Sequence, residues 1–158
     1  SNQTIWQLST HRKSSINLYT KWTELLKKKL DNLILYVRQL AYYRTTPSKS
    51  KQSRYEYHKN NIEFPKIEDK YIVDYFDLIG CHKQSFPLDF LEINAFSDRM
   101  TLDLTIYEAT ALKKMSEAYL IECNNKNTNA IAPYVTNEHK MISNDEIKNI
   151  FAGIAIII

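Results

Sequence analysis

The clearest pattern in the chain is a stripe of hydrophobic residues that recurs at alternating spacings of three and four. Such spacing places side chains on one face of an α-helix, and here it lasts for more than three heptads. Neighbouring apolar residues widen the face beyond a two-stranded seam, which favours a helix in a bundle over an isolated coiled coil. The pattern predicts a long helix over residues 14–43. Its stripe comprises Ile16, Tyr19, Thr23, Leu26, Leu30, Leu33, Val37 and Leu40.

A second long helix is predicted over residues 98–123, where apolar positions cover two faces and indicate a central helix. Ser97 is expected to cap its start. The stretch from Met100 to Tyr107 also alternates between apolar and polar residues, which is a strand pattern. The strongly helical composition of the residues that follow favours the helix.

Shorter helices are predicted over residues 67–79, with Gly80 ending the first, over residues 87–96, and over residues 144–153. A chain of 158 residues is long enough to bury its own core as one domain. The expected architecture is therefore a single mostly-α domain over residues 1–158. It is an irregular bundle of two long helices and two or three short ones.

Residues 44–66 lose the helical periodicity and are rich in Ser, Thr, Lys and Asn. This composition, bounded by Pro47 and Pro65, predicts a long basic surface loop. Loops of this length are usually functional or flexible. Candidate binding residues are therefore expected in it.

Two glycines in the whole chain argue against dinucleotide-binding fingerprints, phosphate-binding loops and turn-rich β folds. The two cysteines, Cys81 and Cys123, are expected to be reduced and packed. The four histidines show no zinc-binding spacing, and no nucleophile has a recognisable base partner. No metal and no cofactor are predicted, and the chain is expected not to be an enzyme.

The charge is divided unevenly along the chain. Residues 1–61 contain 12 Lys and Arg against 3 Asp and Glu, and residues 62–158 contain 9 against 15, so that net charges of +9 and −6 give the total of +3. Either the basic helix packs against acidic ones, or residues 12–59 face nucleic acid or an anionic membrane. Cations would contact phosphates and aromatic rings would stack on bases. The candidate binding residues are Lys27, Lys28, Lys49, Lys51, Arg54, Tyr55 and Tyr57.

Arg54 and His58 suggest an alternative function. The pair resembles the Arg and His motif of helical ribonucleases of the HEPN superfamily, in which the spacing is longer than the three residues that intervene here. The resemblance covers residues 54–58 and implies a small toxin-like ribonuclease that uses these two side chains. The other interpretation of this segment is a solvated basic loop.

Residues 150–158 contain no polar side chain, and nine residues cross about half of a bilayer. They form either a buried terminal element or a shortened membrane segment. The absence of a longer apolar run predicts a cytoplasmic protein. A more specific alternative places the protein at the cytosolic face of a membrane. The favoured function is a non-enzymatic helical interaction or regulatory domain with an unidentified protein partner.

Overall fold

The computed structural model describes residues 2–136, with side chains from residue 17 onward. This part of the chain is helical and contains no β-strand. The mostly-α bundle is thus confirmed. The helix predicted over residues 144–153 and the apolar residues 150–158 lie outside the described residues. The helices are α1 (Asn2–Arg44), α2 (Arg54–His58), α3 (Lys70–Ile79), α4 (Phe90–Arg99) and α5 (Ile106–Asn124).

The hydrophobic core lies between α5 and the C-terminal half of α1, and α3 and α4 complete it. Leu33 and Val37 of α1 are almost completely buried, as are Leu112 of α5, Phe76 of α3 and Ile93 of α4. Every one of these helices contributes an apolar face to the same cluster. The bundle therefore depends on one shared core rather than on separate helix pairs.

The helices α1 and α5 run side by side in the same direction. At one end, Lys29 of α1 and Tyr107 of α5 both lie beside Asp69. At the other end, Thr45 lies beside Cys123. Because α5 begins at the level of Lys29, the part of α1 that precedes this residue extends past the bundle.

The second long helix starts later than the sequence pattern indicates. It begins at Ile106 rather than near residue 98, since α4 continues to Arg99 and an extended connection separates the two. Thr105 caps α5: its hydroxyl accepts the Glu108 N–H at 3.2 Å, and the Glu108 carboxylate accepts the Thr105 N–H at 2.7 Å. Ser97 is not a cap, because it lies inside α4 and its hydroxyl donates to the Leu102 carbonyl at 2.8 Å.

The other boundaries follow local capping chemistry. Gly80 ends α3 with a φ of 103°, a left-handed conformation that suits glycine, as predicted. Asp89 rather than Pro87 starts α4, because its carboxylate accepts the N–H groups of Leu91 and Glu92. Residues 44–66 are not one continuous loop, since they contain α2. Among the described residues, every helix is too short or too polar to span a bilayer.

Candidate functional site

The segment of α1 that precedes the bundle exposes large hydrophobic side chains. We call residues 17–28 the arm. The exposed fractions are 63% for Leu18, 76% for Tyr19, 64% for Trp22 and 47% for Leu25. These positions share one helix face, and all four are exposed. An apolar stripe of this size on a helix is typical of a surface that binds a partner.

The arm stripe continues the core stripe of α1. Tyr19, Leu26 and Leu33 are seven residues apart and so fall on the same side of the helix. Leu33 is 1% exposed and belongs to the core cluster that α1 shares with α3, α4 and α5, whereas Tyr19 is 76% exposed. The exposed stripe is therefore a continuation of the surface against which α5 packs.

The cations of α1 divide into a paired and an unpaired group. Lys29 contacts Glu68 at 3.0 Å, Arg38 contacts Glu122 at 3.3 Å and Arg44 contacts Asp77 at 3.2 Å. The three arm lysines have no ion pair with any described residue, and all of them are exposed: Lys21, Lys27 and Lys28. Pairing with acidic residues, one of the two sequence-based alternatives for the basic half, thus holds for the part of α1 within the bundle, and the arm lysines stay exposed.

A cavity of about 480 Å³ opens at the base of the arm. Its walls come from α1 and from residues 66–69, which precede α3, and they include Leu25, Ile67, Lys28 and Lys66. The cavity connects the exposed stripe to the edge of the core.

Arg54, predicted as a surface residue, is only 3% exposed. Its Nη2 donates to the carbonyls of Asn125 at 2.8 Å and Asn127 at 2.9 Å, and its Nη1 donates to that of Tyr42 at 3.4 Å. The guanidinium carbon lies 4.6 Å from the centre of the Tyr42 ring. Because Asn125 is the C-cap of α5, Arg54 joins α2 to the ends of α1 and α5.

A second cavity of about 410 Å³ lies beside α2, and we call it the α2 cavity. Arg54 and His58 both line it, so the structure brings together the two residues of the ribonuclease alternative. His58 is exposed, and its ring centre lies 6.2 Å from that of Tyr42. The full lining is Tyr42, Pro47, Ser50, Arg54, Tyr57, His58 and Thr128.

The remaining predicted binding residues are scattered. Lys49, Lys51 and Tyr55 are exposed near α2 but do not line its cavity, whereas Tyr57 does. Lys27 and Lys28 belong to the arm. The predicted set is therefore divided between the arm of α1 and the region formed by α2 and the residues that precede it.

The buried cysteine next to α3 is poorly suited to nucleophilic chemistry. Burial, reinforced by a hydrogen bond to Asp77, raises the pKa of the Cys81 thiol to about 11. The sulfur therefore stays protonated at neutral pH, and the thiol is the unreactive form. Burial also raises the pKa of Cys123. No group of three or more metal-binding side chains occurs in the described part of the chain.

Over the described residues, fold and surface together define a bundle of five helices, the first of which extends beyond the body as a basic, amphipathic arm. No protein-family model matches the sequence, and comparisons with curated proteins and with solved structures find no match.

Proposed function

We propose that this chain is a non-enzymatic helical interaction domain whose arm binds an acidic amphipathic helix of a partner protein. The observation that carries the proposal is the exposed stripe formed by Leu18, Tyr19, Trp22 and Leu25. Covering such side chains removes a large apolar area from water, and aromatic anchors contribute most to interfaces of this kind. Apolar anchors at helical spacing are the usual basis of helix-in-groove recognition.

The shape of the surface supports a helix as the occupant. The arm stripe lies on the side of α1 that α5 covers further along, so a partner helix would extend the line of α5 beyond its start. The cavity at the base of the arm offers space for the end of that helix. Ile106, the first residue of α5, is 88% exposed at the same level.

The charge of the surface supports an acidic partner. Residues 17–28 contain Lys21, Lys27 and Lys28 against Glu24, a net charge of +2. Two arms of identical charge repel each other, which disfavours pairing between copies of this chain. Carboxylates beside the apolar seam of a partner would instead attract the lysines and set its register.

A flat anionic membrane is a less suitable occupant. The body of the domain lies on the same side of α1 as the stripe, because α5 and the start of α3 pack there. A planar bilayer would meet this body before it reached the arm. The proposal keeps a location at the cytosolic face of a membrane only in the sense that the partner protein would lie there. The membrane itself is not the docking surface.

The test uses two synthetic helical peptides with the same leucine seam, one flanked by glutamates and the other by lysines. We expect the acidic peptide to bind and the basic one not to bind, as measured by fluorescence anisotropy. Increasing salt should weaken the complex, because the lysine contacts are exposed. Replacing Lys21, Lys27 and Lys28 by glutamine should weaken it by about tenfold or more.

Trp22→Ser should also abolish peptide binding, whereas Ile121→Ser, which alters an equally exposed side chain on α5, should leave it unchanged. Equal binding of both peptides, or binding of neither, would contradict the proposal. Attachment to vesicles of anionic phospholipid without peptide binding would identify a membrane as the occupant. Dimerisation lost in Trp22→Ser would identify a second copy.

A second candidate function is a small nucleic-acid-acting protein, supported by the presence of Arg54 and His58 in one cavity. The bonds from Arg54 to three carbonyls support a structural role for this residue. The test is incubation of labelled single-stranded RNA with the wild type and with His58→Ala. Cleavage by the wild type alone would favour the ribonuclease, and the absence of cleavage would favour the interaction domain.

A further inference from the structure

A buried cation, Arg54, lines the α2 cavity. No carboxylate of the described residues lies within 4 Å of the Arg54 guanidinium, and its acceptors are three neutral carbonyls. Glu122, which the same end of α5 carries, pairs with Arg38 instead. The C-terminal ends of α1 and α5, to which the Tyr42 and Asn125 carbonyls belong, present partial negative charge to Arg54, but neither supplies an ionised partner. Buried cations are normally paired.

Arg54 also retains hydrogen-bonding capacity. A guanidinium has five N–H donors. Nη2 uses both of its donors and Nη1 uses one, which leaves the Nε–H and one Nη1–H without an acceptor among the described residues. The carbonyl bonds hold the guanidinium in place, so a ligand would not have to order this side chain on binding.

The rest of the cavity suits a ligand that combines an anionic group with a flat ring. Tyr42, Pro47 and Tyr57 provide apolar walls, and His58 contributes an imidazole ring to the cavity that the Arg54 guanidinium also lines. Residues 47–59 carry Lys49, Lys51, Arg54 and Lys59 against Glu56, a net charge of +3 that attracts anions. A volume of about 410 Å³ falls within the range of small-molecule sites.

We infer that the α2 cavity binds a phosphate attached to an aromatic base, as in a nucleoside monophosphate, with Arg54 and His58 at the phosphate and Tyr57 against the ring. This inference does not depend on the proposed role of the arm, because the two surfaces share no residue. It concerns binding only and requires no cleavage by His58.

The test is a titration of the isotope-labelled protein with adenosine monophosphate, followed by amide chemical shifts. We expect shifts at residues that line the α2 cavity and smaller ones for inorganic phosphate or for adenosine alone. His58→Ala and Tyr57→Ala should each weaken binding by about tenfold. Tyr55→Ala is the matched control, since Tyr55 is a half-exposed residue of the same helix outside the cavity.

Arg54→Lys should abolish nucleotide binding, provided that its circular dichroism spectrum matches that of the wild type. If this variant unfolds, His58→Ala and Tyr57→Ala, which alter exposed side chains, test the site instead. A short oligonucleotide with a terminal phosphate distinguishes a free nucleotide from the end of a nucleic acid. Binding of the oligonucleotide at the α2 cavity with equal sensitivity to His58→Ala would assign the site to a strand end. The inference is wrong if millimolar nucleotide shifts no cavity residue, or if Tyr55→Ala weakens binding as much as His58→Ala.

Discussion

Replacing Gln39 by leucine is expected to lower the free energy of unfolding by about 3–5 kcal/mol, although the two side chains have similar volumes. Gln39 is completely buried. Its Nε2 donates to the carbonyls of Glu63 at 3.1 Å and Tyr134 at 3.0 Å, and its Oε1 accepts the Tyr134 N–H at 3.0 Å. Leucine would leave three partly buried backbone groups without these partners, each at a cost of about 1–3 kcal/mol.

Chemical denaturation measures this loss, and hydrogen exchange locates it. The amide of Tyr134 should exchange faster in Gln39→Leu, since its acceptor has been removed. Gln52→Leu provides the control, because Gln52 is exposed and its side chain makes none of these bonds. An unchanged exchange rate at Tyr134 would show that Gln39 does not hold this segment.

Leu33→Ala is expected to destabilise the domain by about 2–5 kcal/mol. The side chain is 1% exposed and belongs to the core shared by α1, α3 and α5. Truncation removes buried methyl groups and leaves a cavity that surrounding helices fill only in part. A urea unfolding curve with an unchanged slope and a lower midpoint would measure the effect as a loss of stability.

The matched control for Leu33→Ala is Leu25→Ala, the same substitution two turns earlier on the same helix. Leu25 is 47% exposed in the arm, so its truncation should change stability by less than about 0.5 kcal/mol. Equal losses for the two variants would mean that the arm is buried in the isolated protein. Two curves identical to that of the wild type would contradict the described core.

Helix positions could be predicted from the sequence because periodicity and capping are local properties. The stripe through Leu33 and Val37 marks the buried face of α1, and Gly80 marks the end of α3. Periodicity identifies an apolar face but carries no information about what covers it. Tyr19 and Val37 belong to one stripe, yet only Val37 is buried. That the arm is exposed could therefore be seen only in the structure.

The break between α4 and α5 shows how local signals can compete. Thr105 and Glu108 have the spacing of a capping box, which was available in the sequence. The prediction of one helix over residues 98–123 rests instead on the helical composition of the residues that follow Tyr107 and does not use the capping box. The capping box was the better indicator, since its two hydrogen bonds satisfy backbone groups only where a helix begins.

The role of Arg54 could not be predicted, because it depends on residues far away in the chain. Its acceptors at Asn125 and Asn127 are about 70 positions away, and the sequence shows no pattern that pairs them. A basic residue in a Ser- and Lys-rich segment has the same local signature whether it is solvated or buried. The same reason applies to Gln39, a polar residue on the otherwise apolar side of a helix.

The continuity of α1 fixes the distance between the arm and the α2 cavity. Trp22 and Tyr42 are 20 residues apart on one uninterrupted helix, which corresponds to about 30 Å at a rise of 1.5 Å per residue. Occupants of the two places cannot touch, so neither excludes the other. No loop interrupts this helix between the two places. The orientation of the body, which packs on the second half of α1, is therefore fixed relative to the arm. A partner bound to the arm would therefore lie at a fixed distance from the body of the domain and in a fixed direction.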